Sequence, residues 1–211
     1  KLLKMNKKYL LLLVLFSGCF LQAQELFFSN GKNFTKYDYK NSLGNTNSNL
    51  RSGEGSFYQL GLDFKLNKAT DKLSYAVSVV YNQFNAEGGT STANYSWKTN
   101  YLGVQNALNY TLFQNSKSFK VKTKLGVATS TIIKGEQSIN NVVYNITKQE
   151  EFKGLTIQPN IGIDFQYAIN QNVRISAGYE FSKTYNVSNS STEELSFTNN
   201  QIHFGLHFPL K

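Results

Sequence analysis

The sequence predicts an all-β fold of eight antiparallel strands connected in up-and-down order. Three observations support this prediction. The chain of 211 residues has only two prolines, but 13 tyrosines and 16 phenylalanines. Apolar and polar residues alternate with a period of two along almost the whole chain, with little sustained helical periodicity. Long and short polar segments also alternate between the apolar stretches, as they do when neighbouring strands follow one another in sequence.

The N-terminal segment has the pattern of an export signal. A basic start is followed by an apolar run at residues 9–16, and Ala23 is a small residue that suits cleavage before Gln24. Met5 opens an ordinary basic segment, so we expect residues 5–23 to be the true signal within 1–23. Residues 24–211 are then the exported barrel domain. The apolar run is far shorter than the about 20 residues that a membrane-spanning helix requires.

Cys19 offers a second processing route. It is the only cysteine, which excludes an intramolecular disulfide. The run Phe16-Ser17-Gly18-Cys19 approximates a lipoprotein cleavage box, so lipidation of Cys19 is the alternative to cleavage after Ala23. Cleavage after Ala23 is favoured, because strand-like sequence begins at Glu25 with almost no tether.

The charge of the exported domain argues against nucleic acid as a partner. Removal of the signal leaves 18 basic residues against 13 acidic ones, a net charge of about +5 instead of +9. These cations are scattered, and no aromatic and basic motif gathers them into a stripe.

Each strand is predicted from its alternation. The clearest is 155–169, which continues after a tight turn at 170–172 into 173–181, so the two form a hairpin. The other strands are predicted at 56–66, 73–81, 101–112, 119–131 and 200–210. The first strand lies within 25–40, where a change of phase near Gly31 predicts a bulge. Pro159 predicts another bulge, because proline removes one ladder hydrogen bond.

The connections predict a barrel. Three are short, at 67–72, 114–118 and 170–172, and four are long and polar, at 41–55, 83–95, 134–154 and 183–194. Long and short alternate strictly. An up-and-down barrel with both termini at the rim of the short turns has this order, and the long loops then lie outside the cell.

The apolar face of the barrel is predicted to meet lipid. Tyr58 and Phe64 flank Leu60 and Leu62, as aromatic residues flank aliphatic ones at membrane interfaces. The opposite face combines charges with small residues, as a crowded lumen requires; these are Gly103, Ala107, Gly126, Gly162, Gly178 and Gly205. The predicted fold class is therefore an eight-stranded antiparallel up-and-down transmembrane β-barrel. A soluble lipocalin-like barrel with an apolar cavity is the alternative.

Together these features resemble the small outer-membrane barrels typified by OmpX and the OmpA transmembrane domain. The Ala23-Gln24 ending resembles export signals of Bacteroidota, which points to a barrel or porin family of that group. The resemblance covers essentially all of 25–211 and rests on pattern, without a diagnostic motif. It implies the outer membrane of a Gram-negative bacterium, contact with outer-membrane lipid and lipopolysaccharide, and insertion by the barrel-assembly machinery. That machinery usually reads a terminal aromatic residue, for which Phe208 is the candidate here.

Charged residues on the lumen face form the first candidate site. They are Asp63, Lys120, Lys122, Lys124, Asp164, Arg174, Glu180, His203 and His207. Buried charges must be paired, and a barrel of eight strands is narrow enough for side chains to fill. The favoured interpretation is an internal salt-bridge network, and an anion-leaning channel lined by cations is the alternative. His203 and His207 lie about 13 Å apart along an extended strand, too far to share one metal ion unaided. No cofactor is expected.

An outer-membrane lipid acyltransferase or deacylase is a further alternative. Ser176 or Ser182 would be its nucleophile and Glu180 its orienting acid. The sequence has no nucleophile elbow, and a catalytic triad can be recognised only from its geometry. A non-enzymatic role is therefore favoured.

The long loops form the second candidate site. Binding functions often lie on loops that a rigid scaffold holds in place, and candidate contacts are Tyr144, Glu150, Glu151, Glu193 and Glu194. Val142, Tyr144 and Ile146 alternate, which predicts a hairpin whose edge accepts an added strand. The predicted function is structural, adhesive or partner-binding, with an extracellular protein or polysaccharide as partner.

Overall fold

The fold was analysed in a computed structural model, which describes residues 24–46, 49–66, 72–89, 94–115, 118–188 and 192–210. Its strands are β1 Glu25–Lys40, β2 Leu50–Lys65, β3 Leu73–Gly89, β4 Asn94–Asn115, β5 Phe119–Ile139, β6 Val142–Asn145, β7 Leu155–Ala168, β8 Arg174–Asn186 and β9 Glu194–Pro209. In these ranges no helix is long and apolar enough to span a membrane. The predicted signal and Cys19 lie outside the described residues.

Eight of the strands close into a barrel. Each pairs antiparallel with its neighbours in sequence, β5 pairs with both β4 and β7, and β1 closes the ring on β9. The ends of the barrel strands are tied together as well, because the Leu210 amide donates to the Gln24 carbonyl over 2.8 Å. β6 is the exception and pairs only with β5. The predicted eight-stranded up-and-down barrel is confirmed.

The apolar side chains point outward and the polar ones point into the lumen. Leu125 and Ile161 are exposed on the outside, whereas Asn33 and Gln105 are buried inside. This is the reverse of a soluble barrel, and it confirms the predicted orientation. Asn106, which interrupts the apolar face of β4, accepts a hydrogen bond of 2.6 Å from the hydroxyl of Tyr75.

Most of the strands are longer than the sequence predicted, mainly at the rim that carries the long connections. The ladder of β3 and β4 continues to the pair Gly89 and Asn94, so most of the predicted loop 83–95 is strand. β5, with 21 residues, is about 70 Å long and, at a tilt of about 40°, spans roughly 55 Å, twice the apolar band of about 25 Å. The prediction ended the strands too early because apolar alternation fades outside the membrane while backbone pairing continues.

The bulge predicted near Gly31 is wrong. β1 keeps an unbroken register with β2 and β9 through this residue. The sequence changes phase because Phe27 points into the lumen and stacks on His207, with ring centroids 5.8 Å apart. Gly31 is needed for close approach, since a Cβ there would lie 2.0 Å from the Ile202 carbonyl oxygen.

The bulge predicted at Pro159 is also absent. β7 pairs with β5 in one continuous register, and the pairs before and after Pro159, Ile157 with Tyr185 and Asn160 with Ser182, share one register with β8. Pro159 points outward, and the sheet accommodates its missing donor without a shift. Register shifts occur instead in β2 with β3 and in β4 with β5.

Candidate functional site

The lumen contains three layers of side chains. The ionic tier, which holds the charged side chains and the two histidines of the lumen, lies towards the rim of the short turns. Above it lies the amide tier, the hydrogen-bonded side chains of Asn33, Asn82 and Asn199. The aromatic tier lies at the rim of the long connections. It consists of Tyr37, Leu50, Phe84, Ala86, Tyr101, Ile146, Phe152, Leu195 and Phe197.

The lower part of the ionic tier is centred on Glu25. Its Oε2 lies 2.5 Å from Arg174 Nη1, and its Oε1 lies 2.8 Å from His207 Nδ1. Beside this cluster, Lys122 Nζ lies 3.2 Å from Asp63 Oδ2. Glu25 and Asp63 pair directly across β1 and β2, so the two acids stand at one height.

The upper part of the ionic tier is centred on Lys124. Its Nζ lies 3.3 Å from Glu180 Oε2 and 3.9 Å from Asp164 Oδ2. Asp164 Oδ1 is also 2.8 Å from His203 Nε2. Gln105 Nε2 reaches Glu180 over 3.4 Å from the other side of the lumen. One ammonium group therefore neutralises two buried carboxylates.

The structure brings most of the predicted lumen charges together. Asp63, Lys122, Lys124, Asp164, Arg174, Glu180, His203 and His207 each lie in a charged or histidine pair. Lys120 is half-buried at the rim, and among the described residues it forms no ion pair. Glu25 was missed, although it shares the lumen phase of β1 with Ser29 and Asn33.

The space left between these ion pairs is small. A cavity bounded by Asp63, Lys122, Lys124, Asp164 and both histidines has a volume of about 20 Å³. A water molecule needs about 10–15 Å³ of such space, so the cavity holds about one. Side chains therefore fill the ionic tier.

A serine, a histidine and a carboxylate form a hydrogen-bonded chain in the lower ionic tier. His207 Nε2 lies 3.0 Å from Ser176 Oγ, and His207 Nδ1 contacts Glu25. The carboxylate beside His207 is therefore Glu25, whereas Glu180, the orienting acid of the enzyme alternative, contacts Lys124. Ser176 is buried, and a Cβ added at Gly205 would already lie 2.5 Å from its Oγ. The space beside Ser176 Oγ, where a substrate carbonyl would have to bind, is therefore crowded.

The aromatic tier is closed by the segment 146–154. Ile146 and Phe152 insert into the barrel mouth, and both are buried. Phe152 packs on Tyr37 with ring centroids 6.1 Å apart. Asn186 Nδ2 donates to the carbonyl oxygens of Glu151 and Lys153, each over 2.9 Å, which fixes the segment to β8. Most of this tier lies beyond the predicted strand ends, where its side chains continue the lumen phase of their strands.

The predicted loop contacts fall into different surroundings. Tyr144 lies on β6 and is half exposed. Glu150 Oε1 pairs with Lys153 Nζ at 2.5 Å, and Glu194 Oε2 lies 3.6 Å from Lys40 Nζ. Only Glu151 and Glu193 share a cavity, at the outer mouth of the barrel.

No protein-family model matches the chain, and a search of curated proteins finds no relative. The solved structure of the outer membrane protein OprG from Pseudomonas aeruginosa aligns with 90% of this chain and 98% of its own, at 14% identity and a TM-score of 0.50. The fold is that of the small outer-membrane β-barrels. Neisserial surface protein A aligns at 13% identity and a TM-score of 0.49, covering 87% of this chain and 97% of its own. Ail, the attachment invasion locus protein of Yersinia pestis, aligns at 14% identity and a TM-score of 0.41, covering 88% of this chain and 99% of its own.

OprG is an outer membrane protein, and at 14% identity the likeness to it shows the fold alone. The predicted outer-membrane barrel fold is confirmed. The narrower assignment to an OmpX-like or Bacteroidota family stays a prediction, as does cleavage of the signal.

Proposed function

We propose that the protein lies in the outer membrane of a Gram-negative bacterium and binds an extended segment of a partner protein at β6, without conducting ions and without enzymatic activity. The observation that carries this proposal is the free edge of β6. Val142, Val143 and Tyr144 are 54%, 62% and 49% exposed on this short strand.

Closed barrels normally leave no edge for another chain to pair with. Among the described strands, β6 is the one that ends the sheet instead of closing it. Its four residues include no charge and no proline, which are two of the features that protect an edge. An edge of this kind binds extended peptides through main-chain hydrogen bonds, and its side chains supply selectivity.

The β5 and β6 hairpin lies beyond the lipid-facing band. Ile133 ends the exposed apolar face of β5, and the next outward residues carry the ion pair of Lys134 with Glu136, 3.0 Å apart. β6 pairs with the four residues after this point, Glu136 to Ile139. The edge is therefore accessible from the outside of the membrane.

The hairpin is also rigid. Asn140 and Asn141 have φ values of 49° and 68°, as a two-residue type I′ turn requires. The turn is tied to β4, because the Asn140 amide donates to the Asn94 carbonyl and the Asn94 amide donates to Asn140 Oδ1, each over 3.0 Å. A preorganised edge loses little entropy when it binds.

A binding role fits the filled lumen better than the channel alternative does. The ionic and aromatic tiers occupy the interior, and an eight-stranded barrel is only wide enough for such packing. Planar-bilayer recordings on the folded protein should show no steady conductance. An open, anion-selective conductance would replace this proposal with the channel.

Val143 allows a direct test of the edge. In a hairpin with a two-residue turn, the residues of the second pair do not exchange hydrogen bonds, so the amide of Val143 points to the free side. Val143→Pro removes this donor, whereas Val143→Thr keeps it with a side chain of similar shape. Each purified variant would be mixed with native cell-envelope proteins and the captured chains quantified.

We expect capture to fall about tenfold for Val143→Pro and to stay unchanged for Val143→Thr, since one lost hydrogen bond and a steric clash amount to about 1.4 kcal/mol. All variants should keep the same heat-dependent mobility on gels, which shows an intact barrel. Equal capture by the two variants would contradict binding at the edge.

A further inference from the structure

The outer mouth of the barrel contains a cavity of about 280 Å³ with an aromatic wall and an acidic rim. Its floor is formed by the buried side chains of Tyr37, Leu50, Phe152 and Leu195. Tyr39 and Trp97 are partly buried and pack against this floor. The Trp97 ring lies 6.1 Å from that of Tyr37, so the wall is continuous with the aromatic tier.

Two carboxylates, Glu151 and Glu193, stand at the rim of this cavity with two amides, Gln137 and Gln149. None of the lining residues is lysine, arginine or histidine, although the whole chain carries 22 basic residues against 13 acidic ones. In the described ranges Glu151 has no ion pair. The cavity is therefore negative in a chain that is positive overall.

The acidic residues next in sequence to the two rim carboxylates differ from them, because both form ion pairs with lysine and neither lines the cavity. Glu150 pairs with Lys153, and Glu194 pairs with Lys40 on the outer face of the barrel. The rim charges also act on Tyr39, which lies outside the membrane-spanning part of β1. Burial, followed by a hydrogen bond to Glu193 and the charges of Glu193 and Glu151, raises the pKa of Tyr39 to about 12.

We infer that this cavity binds a small organic cation, an ammonium or guanidinium group on an apolar stem. The cationic head lies between the rim carboxylates and the faces of Tyr39 and Trp97, where charge attraction and cation–π contact act together. The apolar stem lies on the floor, where it displaces water from aromatic surface. The site is separate from the β6 edge and does not depend on it.

Other ligand classes fit the cavity less well. An anion is repelled by Glu151 and Glu193. A neutral apolar molecule would take water from the carboxylates without replacing its hydrogen bonds, which is costly. The volume lies just below the about 300–1,000 Å³ of sites for drug-sized ligands, so one small amine fills it.

Trp97 provides the measurement, because it is the only tryptophan in the chain. The full barrel in detergent would be titrated with phenethylammonium while Trp97 emission is recorded, and with phenethyl alcohol and phenylpropionate as neutral and anionic analogues. Calorimetry would give each affinity independently of the fluorescence signal.

Matched variants isolate the rim charges. The test pair is the double variant Glu151→Gln with Glu193→Gln. The control pair is the double variant Glu150→Gln with Glu194→Gln, which removes the same amount of charge one residue away. Heat-dependent gel mobility identifies the folded barrels.

We expect saturable binding of the ammonium probe, weakened about tenfold in the test pair and within about twofold of wild type in the control pair. The neutral analogue should bind about tenfold more weakly than the cation, and the anion should not bind. Equal affinity for cation and alcohol, equal loss in both pairs, or no saturable signal by either method would overturn the inference. If the test pair does not fold, the single variant Glu151→Gln decides by the same criteria.

Discussion

Lys124 is the residue whose replacement tests the lumen packing most severely. The variant Lys124→Met keeps an apolar stem of nearly the same length and removes the ammonium group, with its charge and its hydrogen-bond donors. The ammonium contacts Glu180 at 3.3 Å and Asp164 at 3.9 Å, and all three side chains are at most 13% exposed. Asp164 keeps His203 as a partner in the variant, whereas among the described residues Glu180 keeps only the amide of Gln105.

The expected cost follows from these distances. At 3.3 Å and an effective dielectric constant of about 20, the attraction between Lys124 and Glu180 is about 5 kcal/mol. Part of it is offset, because the variant no longer has to desolvate the ammonium group. Loss of one partner from a buried pair costs about 3–5 kcal/mol, and we expect Lys124→Met to lower the free energy of unfolding by this amount.

The assay is urea titration of the barrel refolded in lipid vesicles, followed by the change in gel mobility. Lys40→Met is the matched control, since its partner Glu194 is exposed, and it should cost at most about 1 kcal/mol. The double variant Lys124→Met with Glu180→Gln should recover at least half of the loss, because no unpaired carboxylate stays buried. If Lys124→Met costs as little as Lys40→Met, the ion pairs do not stabilise the lumen and the reasoning is refuted.

Three further variants test other parts of the structure. Leu125→Arg places a charge on the exposed apolar face of β5 and should lower the free energy of unfolding in vesicles by about 2–4 kcal/mol, whereas no loss would show that this face does not meet lipid. Phe152→Ala should detach the segment over the barrel mouth, and trypsin should then cut faster after Lys148 and Lys153, whose side chains are accessible but whose backbone the inserted segment holds in place; an unchanged cleavage rate, followed by mass spectrometry, would contradict the inserted position. Gly178→Ala would place a methyl group 2.2 Å from a lumen carboxylate oxygen, so urea titration should show a loss of about 1–3 kcal/mol.

The fold could be predicted from the sequence where the membrane imposes a strict pattern. In β7 and the first half of β8 every second residue faces lipid, so alternation located β7, the turn and the start of β8 within one residue, whereas β8 continues five residues past its predicted end. The predicted ranges of β3 and β4 are too short because the outer ends of these strands lie in water, where either face tolerates polar residues. Phe27 led to the wrong prediction of a bulge in β1, since an aromatic residue can fill the lumen as well as meet lipid.

The candidate site was predictable only as a set of residue types. Alternation placed Lys122, Lys124 and Asp164 on the lumen face, but the partners of each depend on the stagger between strands. Glu25 pairs with Arg174 and His207 from opposite ends of the chain, which no local pattern reveals. The mouth cavity depends on the inserted segment 146–154, whose path is set by contacts with β8.

Fractionation of cell envelopes, followed by gel electrophoresis with and without boiling, tests the central claim most directly. A closed outer-membrane barrel resists SDS until it is heated. We predict that the protein is found in the outer-membrane fraction and that its band shifts on boiling. A soluble protein whose band does not shift would contradict the account, and its apolar face would then need another covering than lipid.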